Sequence, residues 1–301
     1  MTFRVAEFTT LRQFLRYNEG SRTEAAETLE RLSTLKKVNR ASDNPNDYRR
    51  IKNTLSELEQ NAAFSNNIEN SLAKFRLTED ALTNIRESLD EAREITIQGT
   101  SFLYGDAERE TIADQIQQLR LNIINNLNTR YEGEYLFSGT ALGTEPFPNA
   151  ATGAYAGNND LQEVRITETD RIVTNFTGEA IAFGTTGQGG TQDVLDLLAD
   201  LETAFRNNDL VAIDAEIPRL RPAVERINGL VSEVGTRTMR ITREQERYLS
   251  FEETLRSTLA QIEDADLALE ATQLEEINTA IDAQLRAQGT VNRQTLLDFL
   301  G

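Results

Sequence analysis

Asp193, Asp196 and Asp200 lie three and four residues apart, so on a helix their carboxylates share one face. Such a group could hold a cation or divide acid and base duties. It also falls where a helix begins, and acids in a first turn are ordinary partners of the helix dipole. Asp43, Asn44, Asn46 and Asp47 crowd oxygen ligands as a calcium loop does. The glycine and bidentate Glu of such a loop are missing, which favours helix capping. Gly184-Thr185-Thr186-Gly187-Gln188-Gly189-Gly190 has the glycines of a phosphate loop but no lysine to serve it, because no Lys follows Lys74. A flexible connector explains that run better. Asn175-Phe176-Thr177 matches a glycosylation acceptor, a pattern that also arises by chance.

Composition narrows the chemistry further. The 301 residues include no Cys, no His and no Trp. Without Cys there is no disulfide framework, no thiolate nucleophile and no zinc–thiolate site. Without His, the usual general base near neutral pH and the commonest metal ligand are both absent. Neither catalytic, metal-binding nor cofactor-binding residues can be assigned, and no cofactor is expected. A net charge of −18 argues against nucleic acid or an anionic membrane as partner. No run approaches the ~18 apolar residues of a membrane span, so no membrane insertion is expected. The opening Met1-Thr2-Phe3-Arg4-Val5 lacks the apolar core and cleavage site of a secretory signal, which implies that any export proceeds without cleavage.

The strongest pattern is mechanical. Ile213, Leu220, Ile227, Val234, Ile241, Tyr248, Leu255 and Ile262 recur every seventh residue, on one narrow stripe of a helix. Such a stripe demands a partner of similar length. Ile68, Phe75, Leu82 and Leu89 supply it, with Leu72, Ile85 and Ala92 alongside. Two long rods, one from each half of the chain, are therefore expected to pack along this seam.

The remaining elements follow from caps and breakers. A first helix is predicted over about residues 4–36, with Leu11, Leu15, Leu29 and Leu32 among its apolar positions. Asn44, Pro45 and Asp47 start the next, which can run to Gln98, about 80 Å at 1.5 Å per residue. Asp106 is expected to cap a third helix that closes near Gly133. From Tyr135 to Gly190 the chain turns rich in Gly, Thr and Asn. Val164 and Ile166 alternate with Glu163, Arg165 and Thr167 as in a strand, and further strands are predicted at Ile172–Thr174 and at Ala180–Phe183. Helix resumes at Asp193, and Pro218 with Pro222 argue against one unbroken helix there. A last helix is predicted over about 266–288, using Leu267, Leu274, Ile277, Ile281 and Leu285. The chain closes on Leu296, Leu297, Phe299 and Leu300, an apolar cluster of the kind that awaits a partner.

The fold class is thus mainly α: long antiparallel helical rods or coiled coil built from both chain ends, with a small β-rich central subdomain. Residues 1–40 and 265–301 are expected to form a terminal-helix tube domain. Residues 41–139 and 191–264 would form a helical bundle, and 140–190 a small β-rich outer subdomain.

Three motifs carry a specific resemblance: Ala41-Ser42-Asp43-Asn44-Pro45, Tyr135-Leu136-Phe137-Ser138-Gly139 behind Gly133-Glu134, and Leu296-Leu297-Asp298-Phe299-Leu300. In this order, and with this architecture, the chain resembles the flagellar hook-associated protein 3 (FlgL) family, relatives of flagellin. Glu79-Asp80-Ala81-Leu82 and Val234-Gly235-Thr236-Arg237 fall where similar stretches recur in that family. The resemblance implies a structural protein and not an enzyme. It implies a ring of like subunits between the first hook-associated protein and flagellin, exported by the flagellar type III apparatus with an export chaperone. The interface would then use Leu11, Leu15, Leu29, Leu32, Leu274, Ile277, Ile281, Leu285 and the terminal cluster. Three rivals stand beside it. A short flagellin would polymerise by itself, and an intracellular coiled-coil scaffold would fractionate with the cytosol. A carboxylate-based hydrolase would need two carboxylates ~5–10 Å apart in a cleft.

Overall fold

The computed structural model describes the backbone of residues 2–101 and 104–300, and the side chains of residues 12–101 and 104–289. Within those limits the chain is dominated by helices: α1 (Thr2–Thr34), α2 (Pro45–Gly99), α3 (Asp106–Leu127), α4 (Gly178–Ala182), α5 (Val194–Arg206), α6 (Leu210–Glu263) and α7 (Leu267–Leu300). Two antiparallel hairpins complete it. One pairs β1 (Arg130–Tyr131) with β2 (Glu134–Tyr135), the other β3 (Glu163–Arg165) with β4 (Arg171–Val173). Contacts divide the chain into two compact units: Ala62–Leu249, and Met1–Asn61 with Ser250–Gly301.

The unit Ala62–Leu249 holds the main core. Ile68, Phe75, Leu82 and Leu89 of α2 are fully buried with Ile227, Val234 and Ile241 of α6, and Tyr248 closes the same cluster. Ile116, Ile123 and Leu127 of α3 and Leu198, Leu201 and Phe205 of α5 join them. Asp193 sets the start of α5, its Oδ1 accepting from the Leu195 and Asp196 N–H groups at 2.9 and 3.0 Å. Arg109, itself buried, finishes α2: its guanidinium donates to the Gly99 and Ser101 carbonyls at 3.2 and 3.3 Å. These carbonyls lie at the electronegative end of the helix, where a cation is favourable.

Five local features differ from what the sequence implies. Helix α6 runs unbroken through Pro218 and Pro222. Each proline frees the carbonyl four residues back, on Asp214 and Pro218. Both of those residues are exposed, so water can satisfy the freed groups. Residues 180–183 are not a strand: they belong to the single turn α4 and its C-cap, opened by Thr177, whose hydroxyl accepts from Ala180 N–H. Helix α3 ends at Leu127 and not near Gly133, because Glu132 and Gly133 both have positive φ and make the two-residue turn of the first hairpin. Its N-cap is Gly105 and not Asp106, with the Glu108 carboxylate accepting from the Gly105 N–H at 3.0 Å. Helix α7 also continues past 288 to Leu300.

The segment between α3 and α5 is mostly turns, and one face of α6 holds much of it. Arg219, Arg226, Arg237 and Arg240 are spaced seven, eleven and three residues apart, all on one side of the helix. Arg226 donates to the carbonyls of Ala180, Ile181, Ala182 and Gln192. Burial lowers its pKa from the usual arginine value. Arg237 donates to the Val173 carbonyl at 3.0 Å and lies over the Phe176 ring. Arg240 pairs with Asp170 in the β3–β4 turn.

In the other unit, α1 and α7 pair antiparallel, since Arg31 meets Glu270 while Ser21 meets Gln284. At the base of the pair the two interhelical turns are tied together. Lys37 N–H donates to the Glu263 carbonyl at 2.7 Å and Ala265 N–H to the Leu35 carbonyl at 3.0 Å. Below them a small cluster of Val38, Ile51 and Ile262 closes the joint.

Candidate assembly interface

Residues of the Ala41–Pro45 motif build that joint. Asp43 accepts from the Asn39 and Arg40 N–H groups, both at 2.9 Å, which folds the chain back between α1 and α2. These backbone donors, Arg40 first, hold the Asp43 carboxyl below the usual range. Asn44 caps α2 by accepting from the Asn46 and Asp47 N–H groups at 3.1 and 3.2 Å, and Pro45 is the first helical residue.

The Tyr135–Gly139 motif performs the corresponding task after the first hairpin. Arg130 lies over the Tyr135 ring, while Phe137 and Ser138 are fully buried and Leu136 nearly so. The Phe137 carbonyl accepts from Gly178 N–H at 2.7 Å and from the Tyr155 hydroxyl at 2.9 Å. Burial pushes the Tyr155 pKa up to about 12. Gly139, at φ +71°, passes so close to Asn158 that a Cβ would stand 2.1 Å from its carbonyl oxygen. Only glycine fits there.

The remaining seam residues, Leu255 and Ile262, are buried in the unit that contains the terminal helices. In the α1–α7 pair itself, the inward positions of α1 are Phe14, Asn18, Ser21, Ala25, Thr28 and Leu32, spaced alternately by four and three. On α7 they include Glu270, Leu274, Ile277, Ile281 and Gln284. Half of this heptad stripe is polar or small. Three large side chains of α1 point the other way: Leu15 is 55% exposed, Tyr17 63% and Leu29 57%. Leu267, Leu269 and Leu285 of α7 are also exposed. The structure therefore separates the proposed interface residues into two sets. Leu32, Leu274, Ile277 and Ile281 are half-buried within the pair, and Leu15, Leu29 and Leu285 face outward. The side chains of Leu11, Leu296, Leu297, Phe299 and Leu300 lie outside the described residues.

Asn18, Thr28, Arg31 and Glu270 carry no signal in an apolar count, although the same four-and-three spacing marks the stripe on which Asn18 and Thr28 sit. The acidic trio at the start of α5 is spent on structure. Asp193 caps, its Oδ2 also accepting from Gly189 N–H at 2.8 Å, and Asp200 lies 3.5 Å from Arg219. Burial, then Asp196, raises the Asp200 carboxyl above its ordinary value. Asn175 is buried, with its side chain bonded to Gln162 N–H and the Asp160 carbonyl. No helix among the described residues is long and apolar enough to cross a membrane.

Comparison with known proteins follows the same lines. Residues 10–141 match the bacterial flagellin N-terminal helical region. Flagellar hook-associated protein 3 of Escherichia coli (strain K12) is 25% identical over 193 residues, covering 62% of this chain and 61% of that protein. The match thus spans somewhat less than two thirds of that relative. Among solved structures, a flagellar hook-associated protein from Vibrio parahaemolyticus superposes with a TM-score of 0.66 at 24% identity, covering 74% of this chain and all of that one. Bacillus cereus FlgL gives 0.59 at 20% identity, over 70% and 99% of the two chains. The chain is thus similar to flagellin in its N-terminal helical region, to hook-associated protein 3 in sequence and to FlgL in fold.

Proposed function

We propose that this chain is a structural junction subunit of the bacterial flagellum, joining the hook, through the first hook-associated protein, to the flagellin filament. The observation that carries the reading is the likeness to hook-associated protein 3, a protein named for its place at the hook. The outward apolar side chains of α1 and α7 support it, because exposed clusters of this kind normally await a partner. Residues 1–40 and 265–301 make the subunit contacts of a ring, residues 41–139 and 191–264 form the bundle, and 140–190 is a separate small subdomain. The protein works by shape and adhesion and has no catalytic task. It acts outside the cell, at the hook–filament boundary, after export through the flagellar apparatus in the care of a chaperone.

Electron microscopy of cells lacking this chain tests the reading: hooks without filaments are expected, with flagellin released into the medium. Filaments of normal number and length would refute it. The flagellin-type N-terminal region favours a second reading, a short flagellin. Purified protein that grows long filaments by itself would select that alternative.

A further inference from the structure

Resting on the junction reading above, we propose that neighbouring copies of this chain dock head to tail, α1 of one copy against α7 of the next, with Arg22 facing Glu276. Two stripes of three residues carry the inference. Leu15, Arg22 and Leu29 recur every seventh residue on α1, and Leu269, Glu276 and Ala283 do so on α7. All six are exposed. Neither Arg22 nor Glu276 has an ion-pair partner among the described residues. Around its stripe α7 is hollowed into an open trough lined by Thr272, Glu275, Glu276, Thr279, Ala280 and Ala283, where small side chains leave room for a neighbour's leucine.

The two stripes face opposite ways. Counting about 100° per residue from each helix's inward positions, the α1 stripe lies roughly 80° to one side and the α7 stripe roughly 120° to the other. In an antiparallel pair, turns of equal sign reach the same face, so these turns of opposite sign put the stripes on opposite flanks of the pair. A contact between unlike faces is heterologous, the kind that repeats from copy to copy. Copies that point the same way along the flagellum bring α1 of one antiparallel to α7 of the next, because the two helices are antiparallel within each copy. With Arg22 opposite Glu276, the seven-residue steps set Leu15 over Ala283 and Leu29 against Leu269. A large side chain meets a small one at one end, two leucines meet at the other, and opposite charges meet between them. Sliding by seven residues either way sets Arg22 on Leu269 or on Ala283 and leaves both charges unpaired in a covered contact, which is costly.

The absence of native Cys makes the test direct. Flagella with their hooks are isolated from cells whose only copy of this chain carries Leu15→Cys and Ala283→Cys. They are oxidised, and the chain is followed by immunoblot after denaturing electrophoresis without reductant. A ladder of multimers beyond the dimer is expected, since each copy offers one thiol to each neighbour. Leu15→Cys with Leu285→Cys, whose two thiols lie on the same flank, should give no ladder. Adding Arg22→Glu to the first pair should largely abolish the ladder, and adding Glu276→Arg as well should restore it. Monomer alone, from flagella that contain the chain, would overturn the pairing and leave the junction reading standing, whereas flagella that lack the chain would overturn both. The pairing would also fall to an equal ladder from Leu15→Cys with Leu285→Cys, to a ladder indifferent to Arg22→Glu, or to a loss that Glu276→Arg does not repair.

Discussion

Ile241→Asp isolates the contribution of the buried seam. Ile241 is fully buried in the main core, whereas Arg243, two residues on, is exposed. Aspartate at 241 forfeits the packing of a branched side chain and places a carboxylate in the apolar cluster. Leaving a buried charge uncompensated costs about 3–5 kcal/mol, and escape by protonation or a shift toward water sets the lower end. A unit the size of residues 62–249 loses roughly 2–4 °C of melting temperature per kcal/mol. The expected fall is therefore roughly 6–20 °C. Arg243→Asp changes the net charge by more, yet should cost within about 0.5 kcal/mol, as exposed substitutions do. The assay is thermal unfolding of the monomer followed by circular dichroism at 222 nm, with Ile241→Ala as the uncharged companion at about 2–5 kcal/mol. If Ile241→Asp and Arg243→Asp shifted the transition alike, the seven-residue stripe would not be a buried seam.

Three further outcomes follow from other parts of the molecule. Arg226→Met removes the donor to four carbonyls and should cost about 2–4 kcal/mol, since bonds to charged groups are worth about 1.5–3 kcal/mol each but do not add fully. Hydrogen exchange should accelerate over residues 178–192 first, and uniform acceleration would contradict the anchoring of that segment by Arg226. Gly139→Ala meets both a positive φ and the Asn158 carbonyl, so a loss of at least about 2 kcal/mol is expected, and a neutral effect on the melting temperature would refute the close approach. Asp43 has a depressed folded pKa, so its anchoring of the α1–α2 turn is complete above the ordinary carboxylate value near pH 4 and fades as pH falls through the folded value. Amide protection of Asn39 and Arg40 should drop in that acid window and should become insensitive to it in Asp43→Asn. Protection that ignores acid in the natural chain would show that the carboxylate is not the anchor.

The helical rods are legible in the sequence because a seven-residue apolar repeat has few alternatives once it extends over several heptads. Pro218 and Pro222 mislead because a breaker rule counts lost hydrogen bonds without asking whether the freed carbonyls reach water; here both face solvent. Ala180–Phe183 resembles a strand only until the Thr177 cap is considered, and the Glu132-Gly133 turn is masked by the helix that precedes it. The arginine ladder on α6 leaves no trace in charge patterning, because three of its members, Arg219, Arg226 and Arg237, bond to backbone carbonyls. The polar inner stripe of α1 is the deepest omission. A search for apolar periodicity finds Leu15 and Leu29, which face outward, and passes over Asn18 and Thr28, which face the partner helix.

The most direct test is made on cells that carry only a version of this chain lacking residues 296–301. The four apolar side chains lost, Leu296, Leu297, Phe299 and Leu300, would each contribute roughly 1.5–3 kcal/mol on full burial, repeated at every subunit of a ring. Electron microscopy of these cells, with assay of flagellin in the medium, should reveal hooks that fail to retain filaments, while the purified truncated monomer melts within a few degrees of the intact one. Normal filaments on such cells would contradict the assignment of the chain ends to assembly.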